Sequence, residues 1–260
     1  MIERRDFITL LGGTAAWPFV AQAQQSTVPV IGFLGSESSD SSADRLRGFR
    51  QGLVETGYVE GRNAAIEYLW ADGQYERLPA LAADLVRRQV AVIAAAGVPV
   101  ALLAKRATTA IPIVFTTAGD PVALGLVASL NRPGGNLTGV TNLNVEVGPK
   151  RLEILRELAP TATIIALLIN PTNPIGETQS RDLQAAARTL GLQLHVLQAS
   201  TERDFDTVFA TLIQLRAGAL VISPDIFFTA RSEQLAALAL PHRTPAIFEN
   251  REFVAAGDEG

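Results

Sequence analysis

The sequence predicts a doubly wound α/β protein built as two lobes, and three observations carry that reading. From Val28 onward, short runs rich in Val, Ile and Leu alternate with longer amphipathic stretches. The runs are apolar almost throughout rather than at every second residue, which suits strands buried on both faces of a parallel sheet. The rhythm breaks once, at "NRPGGNLTGVTNLNVEVGPK", residues 131–150. Strand and helix alternating in this way pack as a sheet with right-handed crossovers and helices on its faces.

Taken in order, the first half opens with the strand "VPVIGFLG" and the helical stretch "SADRLRGFRQGLVETG". A second strand, "NAAIEYLW", leads to "YERLPALAADLVRR", where Leu78, Leu81, Leu85 and Val86 recur at helical spacing and mark the face that lies on a sheet. The strand "VAVIAAAG", the helix "VALLAKRATT", the strand "IPIVFTTA" and the helix "PVALGLVASL" follow. Pro133, Gly134 and Gly135 end that last helix, "LTGVT" forms a short strand, and a polar segment leads to a new helix at Pro149. The second half then reads as the helix "PKRLEILRELA", the strand "TIIALLIN", the helix "RDLQAAARTL", the strand "LQLHVLQA", the helix "FDTVFATLIQLR", the strand "GALVISPD", the helix "ARSEQLAALAL" and the strand "TPAIFEN". The first lobe is expected over residues 27–143 and the second over 144–249, with the chain crossing near 141–147 and a return crossing beginning in 250–260. A single continuous sheet with an ordinary loop at 131–150 is the alternative.

Ahead of the fold lies "RRDFITLLGGTAAWPFVAQAQQ". Arg4 and Arg5, an apolar run from Phe7 to Val20, and Ala21-Gln22-Ala23 have the three-part anatomy of a cleavable export signal, residues 1–23. The run is too short, and too broken by Gly12, Gly13 and Pro18, to span a hydrocarbon core of roughly 30 Å, so no stable membrane insertion is expected. Arg-Arg-Asp-Phe-Ile is also similar to a twin-arginine address, so the export route stays open. About 240 residues then remain, enough for two lobes of about 100 to 120 each. Cysteine is absent, which excludes disulfides, thiolate metal sites and a lipidated cysteine. A formal net charge of -4 with interspersed signs provides no basic stripe, so nucleic acid is not an expected partner.

In open α/β sheets, small molecules bind beyond the carboxyl ends of the strands, where helix N-termini present unpaired N–H groups. This sequence places Ser36, Glu37 and Ser38 after its first strand, Gly97 and Val98 after the third, and Thr116, Thr117 and Asp120 after the fourth. In the second half the rim carries Asn170, Thr172 and Asn173, then Ser200 and Thr201, then Ser223 and Asp225, with Phe227 beside them, and Glu249 and Asn250. Several of these have a second reading. Asp120 before Pro121 has the form of a helix N-cap, Asn170 to Pro174 of a strand-ending turn, and Ser36 and Ser38 of caps on the first helix. Asp225 either meets a ligand, with Phe227 walling an apolar pocket, or caps a helix.

Chemistry is missing from this rim. Neither G-x-G-x-x-G nor G-x-x-x-x-G-K-[ST] nor G-x-S-x-G occurs. His195 and His242 lie on separate segments and lack the spacing of a metal pair, so no catalytic residue, metal or cofactor is expected.

The stretch "IPIVFTTAGDPVALGLVASLNRPGGNLTGVT", with "YERLPALAADLVRR" and "FENREFVAAG", resembles the substrate-binding proteins of ABC transporters, of the tryptophan/tyrosine type. That resemblance implies a type I periplasmic-binding architecture, with two Rossmann-like lobes, parallel central sheets and a small solute held between them for delivery to ABC permease subunits. It makes an amino acid or related molecule the leading solute class; the leader sets the expected site of action in the periplasm, the missing motifs lead to the expectation of a non-enzymatic protein, and a monomer is expected. It places Gly97, Val98, Asp120, Asn170 and Asp225 on the cleft rims, although Val98 stands where a small or hydroxyl-bearing residue is expected. Under it, Asp225 would meet the ammonium, backbone N–H and hydroxyl groups the carboxylate, and the Phe227 region the side chain. Relatives continue beyond "FVAAG" with elements that complete the first lobe, so the C-terminal part of that lobe is expected to be missing here. A receptor-coupled sensor and an inactive truncated family member are the alternatives.

Overall fold

A computed structural model describes residues 28–242 and 244–249. The expected export signal, residues 1–23, and the expected return crossing, residues 250–260, lie outside the described residues. The first lobe contains strands β1 (Val30–Gly35), β2 (Ala65–Trp70), β3 (Val92–Ala96), β4 (Ile113–Thr117) and β5 (Leu137–Thr141), in the order β2-β1-β3-β4-β5. The second contains β6 (Ile164–Ile169), β7 (Gln193–Gln198), β8 (Ala219–Ile222) and β9 (Ala246–Ile247), in the order β7-β6-β8-β9. Every pairing within both sheets is parallel. Two separate sheets stand in place of the single continuous sheet that was the alternative.

The helices are α1 (Ala43–Glu55), α2 (Leu78–Arg87), α3 (Val98–Ala107), α4 (Gly148–Leu158), α5 (Pro174–Leu190), α6 (Asp204–Gln214), α7 (Ile226–Thr229) and α8 (Ser232–Ala239). Apolar spacing seats them on the sheets: Leu78, Ala82 and Leu85 of α2 are buried against Leu34 and Ile93, and Phe205, Val208 and Phe209 of α6 against Leu168 and Leu220. A buried Leu or Phe of this kind contributes about 1.5–3 kcal/mol. Strand runs continue this logic, with β6 and β8 buried almost throughout, as sheet centres must be.

Three elements depart from expectation. "PVALGLVASL" is a series of turns rather than a helix: Gly125 takes φ +68 and the Leu126 N–H bonds back to the Pro121 carbonyl. α5 begins seven residues before "RDLQAAARTL", because Pro174 fits the first helical turn and Asn173 caps it. α7 is an extra turn of helix initiated by Asp225.

The lobes are joined at 142–147, and that crossing is tied down on both sides. Val145 N–H donates to the Ala118 carbonyl, the Asp120 N–H to Glu146, and the Asn144 amide to Glu249 at 2.8 Å. Arg151 donates to the Asn144 carbonyl at 2.8 Å; burial lowers its pKa, with the Glu249 charge opposing the shift. On the first lobe, Val114 and Val140 of β4 and β5 are exposed. Among the described residues, no helix is long and apolar enough to cross a membrane.

Candidate functional site

Because all strands in each sheet run the same way, their carboxyl ends form one edge per lobe, and those two edges face each other across a cleft of about 1200 Å³. From the first lobe the lining includes Ser36, Tyr75, Gly97, Val98, Thr117 and Asn142; from the second, Asn173, Ile175, Asp225, Ile226, Arg231 and Glu249. Six of the twelve candidate binding residues are thus brought together: Ser36, Gly97, Val98, Thr117, Asn173 and Asp225.

The other six sit off the cleft wall. Ser38 pairs with the Ser41 hydroxyl at 3.1 Å in an exposed turn. Asp120 accepts the Val122 N–H at 2.8 Å and so holds a turn, not the helix start that the Asp-Pro pair was expected to cap. Asn170 is buried and accepts both the backbone N–H and the hydroxyl of Thr172, which is itself exposed. Ser223 is buried, and its N–H continues the sheet by donating to the Leu168 carbonyl. Phe227 corrects the pocket-wall expectation: it is buried in the second lobe's core with ring centroids 5.6 Å from Phe205 and 5.4 Å from Phe228. The helical twist of α7 turns Phe227 inward and leaves Ile226 facing the cleft.

Asp225 is the electrostatic centre. One carboxylate oxygen caps α7 by accepting the Phe227 N–H at 2.6 Å, and the other accepts the Asn173 amide at 2.8 Å. Asn173 in turn caps α5 through the Ile175 N–H at 3.2 Å, so one short chain of bonds fixes two helix starts and the acid. Burial pushes the Asp225 carboxyl up to about 6; the Asn173 and Phe227 donors pull it back, and the Glu37 charge pushes it further. The nearby cation is engaged elsewhere, because Arg231 pairs with Glu202 at 2.8 Å and lies over the Phe227 ring at 4.2 Å. Glu37 itself is buried, and a single one of its carboxylate oxygens accepts from both the Ser42 hydroxyl and Arg45, each at 2.8 Å.

Opposite Asp225, α3 starts at the cleft with Gly97 at φ +92 and no side-chain cap. The first-turn N–H groups of Val98 and Val100 therefore lack intrahelical partners, while Pro99 has none to offer. Such a helix start favours an anionic group. The lobes also touch through apolar groups. Val98, Val145 and Ile175 are buried together, and the Ile226 Cδ1 lies 2.7 Å from where a Cβ on Gly97 would stand.

Sequence reasoning passed over Tyr75, Ile175, Ile226, Arg45 and Arg231. A signal for Tyr75 exists: it follows β2 just as Ser36 follows β1, but its place at the head of a helical stretch hides it. Among the described residues, no group of His, Asp or Glu has the arrangement of a metal site.

A family model described as ABC transporter substrate binding protein matches residues 27–259. A tyrosine-binding protein of Clostridioides difficile is 27% identical over 212 residues, covering 81% of this chain and 60% of that protein. The chain therefore spans less than two thirds of that relative's length. A conserved domain protein from Vibrio cholerae superposes with a TM-score of 0.79 at 24% identity, over 88% of this chain and 77% of the other. An ABC domain from Streptococcus pneumonia solved with L-Trp superposes with a TM-score of 0.73 at 20% identity, over 89% and 83% of the two chains. These likenesses are ones of fold.

Proposed function

We propose, from the premise that this chain belongs to the ABC transporter substrate binding protein family, that it captures a small polar solute between its lobes and delivers it to a membrane permease. The family is one of solute binding rather than catalysis. The observation that carries the reading is the cleft itself: two parallel sheets direct their carboxyl ends into one cavity of about 1200 Å³, with a buried acid on one side and an uncapped helix start on the other.

That pairing of opposite electrostatic ends suits a zwitterion. An amino acid, or a closely related molecule, would place its ammonium at Asp225 and its carboxylate toward the N–H groups of α3 with the Ser36 and Thr117 hydroxyls. The apolar wall falls to Tyr75, Val98, Ile175 and Ile226 in place of Phe227. The tyrosine-binding relative and the neighbour holding L-Trp support this solute class. The lobes are assigned to residues 27–143 and 144–249, the export signal to residues 1–23, and the site of action to the periplasm.

The solute acts by differential affinity: it touches both lobes only when they approach, so it favours the closed arrangement. A micromolar solute supplies roughly 8 kcal/mol, ample to shift an open–closed balance of a few kcal/mol. A thermal-shift screen against amino acids, small carboxylates, purines and sugars tests the reading. A solute at about 100 times its dissociation constant adds roughly 2.7 kcal/mol, worth about 5–10 °C at this size. A flat screen would remove the amino-acid reading.

A further inference from the structure

The loop after β2 is zipped onto the end of β1. The N–H groups of Ala71, Asp72 and Gly73 donate in turn to the carbonyls of Gly35, Glu37 and Ser36, at 3.0, 3.0 and 2.8 Å. The turn needs left-handed backbone at two consecutive residues, Asp72 at φ +53 and Gly73 at φ +77, and Arg77 braces it through Asp72 at 2.7 Å. Tyr75 emerges from this brace with its ring packed against the first lobe's core and its phenol end in the cleft. The facing segment belongs to the second lobe: an Arg231 nitrogen lies 3.8 Å from where a Gly73 Cβ would stand.

Resting on the solute-binding reading above, we infer that Tyr75 is a specificity-determining residue of the cleft, its hydroxyl standing across from Asp225 so that the two hold the protonated amine of the solute between them. The chemistry is that of two acceptors and one donor. The Ser36 hydroxyl lies beside the phenol, and a phenol oxygen carries lone pairs besides its own proton, so it can accept an N–H of the amine. Burial and the nearby Asp225 charge hold the phenol well above its ordinary pKa, so it stays a neutral acceptor at physiological pH. A tyrosine serving only the core would lose nothing on becoming phenylalanine, because the ring does the packing. A neutral hydroxyl beside an acid also discriminates: it accepts from an ammonium, whereas a deaminated analogue brings no donor to either group.

The test compares wild type, Tyr75→Phe, Asp225→Asn and the double variant by calorimetry. The probes are L-tyrosine, L-tryptophan and L-leucine, and the carboxylic acid made by removing the amine from each. For each amino acid that binds wild type, Tyr75→Phe is expected to weaken binding about tenfold while leaving the deaminated acid's affinity unchanged. The double variant is expected to lose less than the product of the single losses, since both groups meet one amine. Equal weakening for amino acid and deaminated acid, no weakening, or multiplicative losses would overturn the role of Tyr75 while leaving the solute-binding reading in place. A wild-type protein that binds none of the three amino acids would overturn the amine reading, and the inference would fall with it.

Discussion

Replacing Asp225 by asparagine should make the protein more stable at alkaline pH while sharply weakening its binding of solute. The carboxyl is pushed from 3.8 up to about 6, chiefly by burial, so in the folded state its ionised form is disfavoured. Every tenfold gain in proton affinity is worth about 1.4 kcal/mol, which puts the full penalty at about 3 kcal/mol once the group is ionised in both states. The sign follows from proton counting: between these two pKa values the folded state holds more protons than the unfolded state, so stability falls as pH rises. About 1.5 kcal/mol of that loss falls between pH 5 and pH 8. Asparagine removes the charge but turns a donor toward the Asn173 amide, costing about 1 to 1.5 kcal/mol in a lost hydrogen bond. The variant should therefore be about 1–2 kcal/mol more stable than wild type at pH 8 and no more stable at pH 5. Urea unfolding of both proteins across this range, without solute, reads the difference. A variant with the wild-type pH slope would refute the assignment of that slope to Asp225.

Other perturbations probe neighbouring parts of the same arrangement. Gly97→Ala forces a side chain onto φ +92 and against Ile226, so it should weaken solute binding; adding Ile226→Ala should restore part of the affinity, as calorimetry would read, by removing the clash. Asn173→Ala removes the cap on α5 and a donor to Asp225, and should cost about 1–3 kcal/mol in urea unfolding at pH 7, with a steeper fall of stability toward high pH. Gln179 is fully buried, and neither polar atom of its amide has a partner among the described residues; Gln179→Met should raise stability by about 1 kcal/mol, and a loss would show that the amide is satisfied in solution.

Much of the scaffold is legible because buried strands must be apolar on both faces, and β1, β3, β6 and β8 can hardly be read otherwise. The helix expected at "PVALGLVASL" does not form because apolar content cannot by itself hold a helix through Gly125 in a left-handed conformation. Asn173-Pro174 has the form of a turn, yet an N-cap followed by a first-turn proline is also how a helix begins, and local sequence does not separate the two. The rim residues are legible from topology alone, since a strand's carboxyl end is fixed by its direction. What topology cannot supply is rotation. Asp225 and Phe227 are two residues apart, but a single turn of α7 aims one at the cleft and the other into the core. Tyr75 shows the opposite case, a cleft residue hidden by its resemblance to the first position of a helix.

The central claim is that the two lobes shut around a small guest. Small-angle X-ray scattering of wild type and Asp225→Asn, each with and without the amino acid that most raises the melting temperature, tests it most directly. At a solute concentration that saturates only wild type, the radius of gyration is expected to shrink for wild type and to stay unchanged for the variant. Solute bound with unchanged dimensions, or equal contraction in the variant, would contradict it.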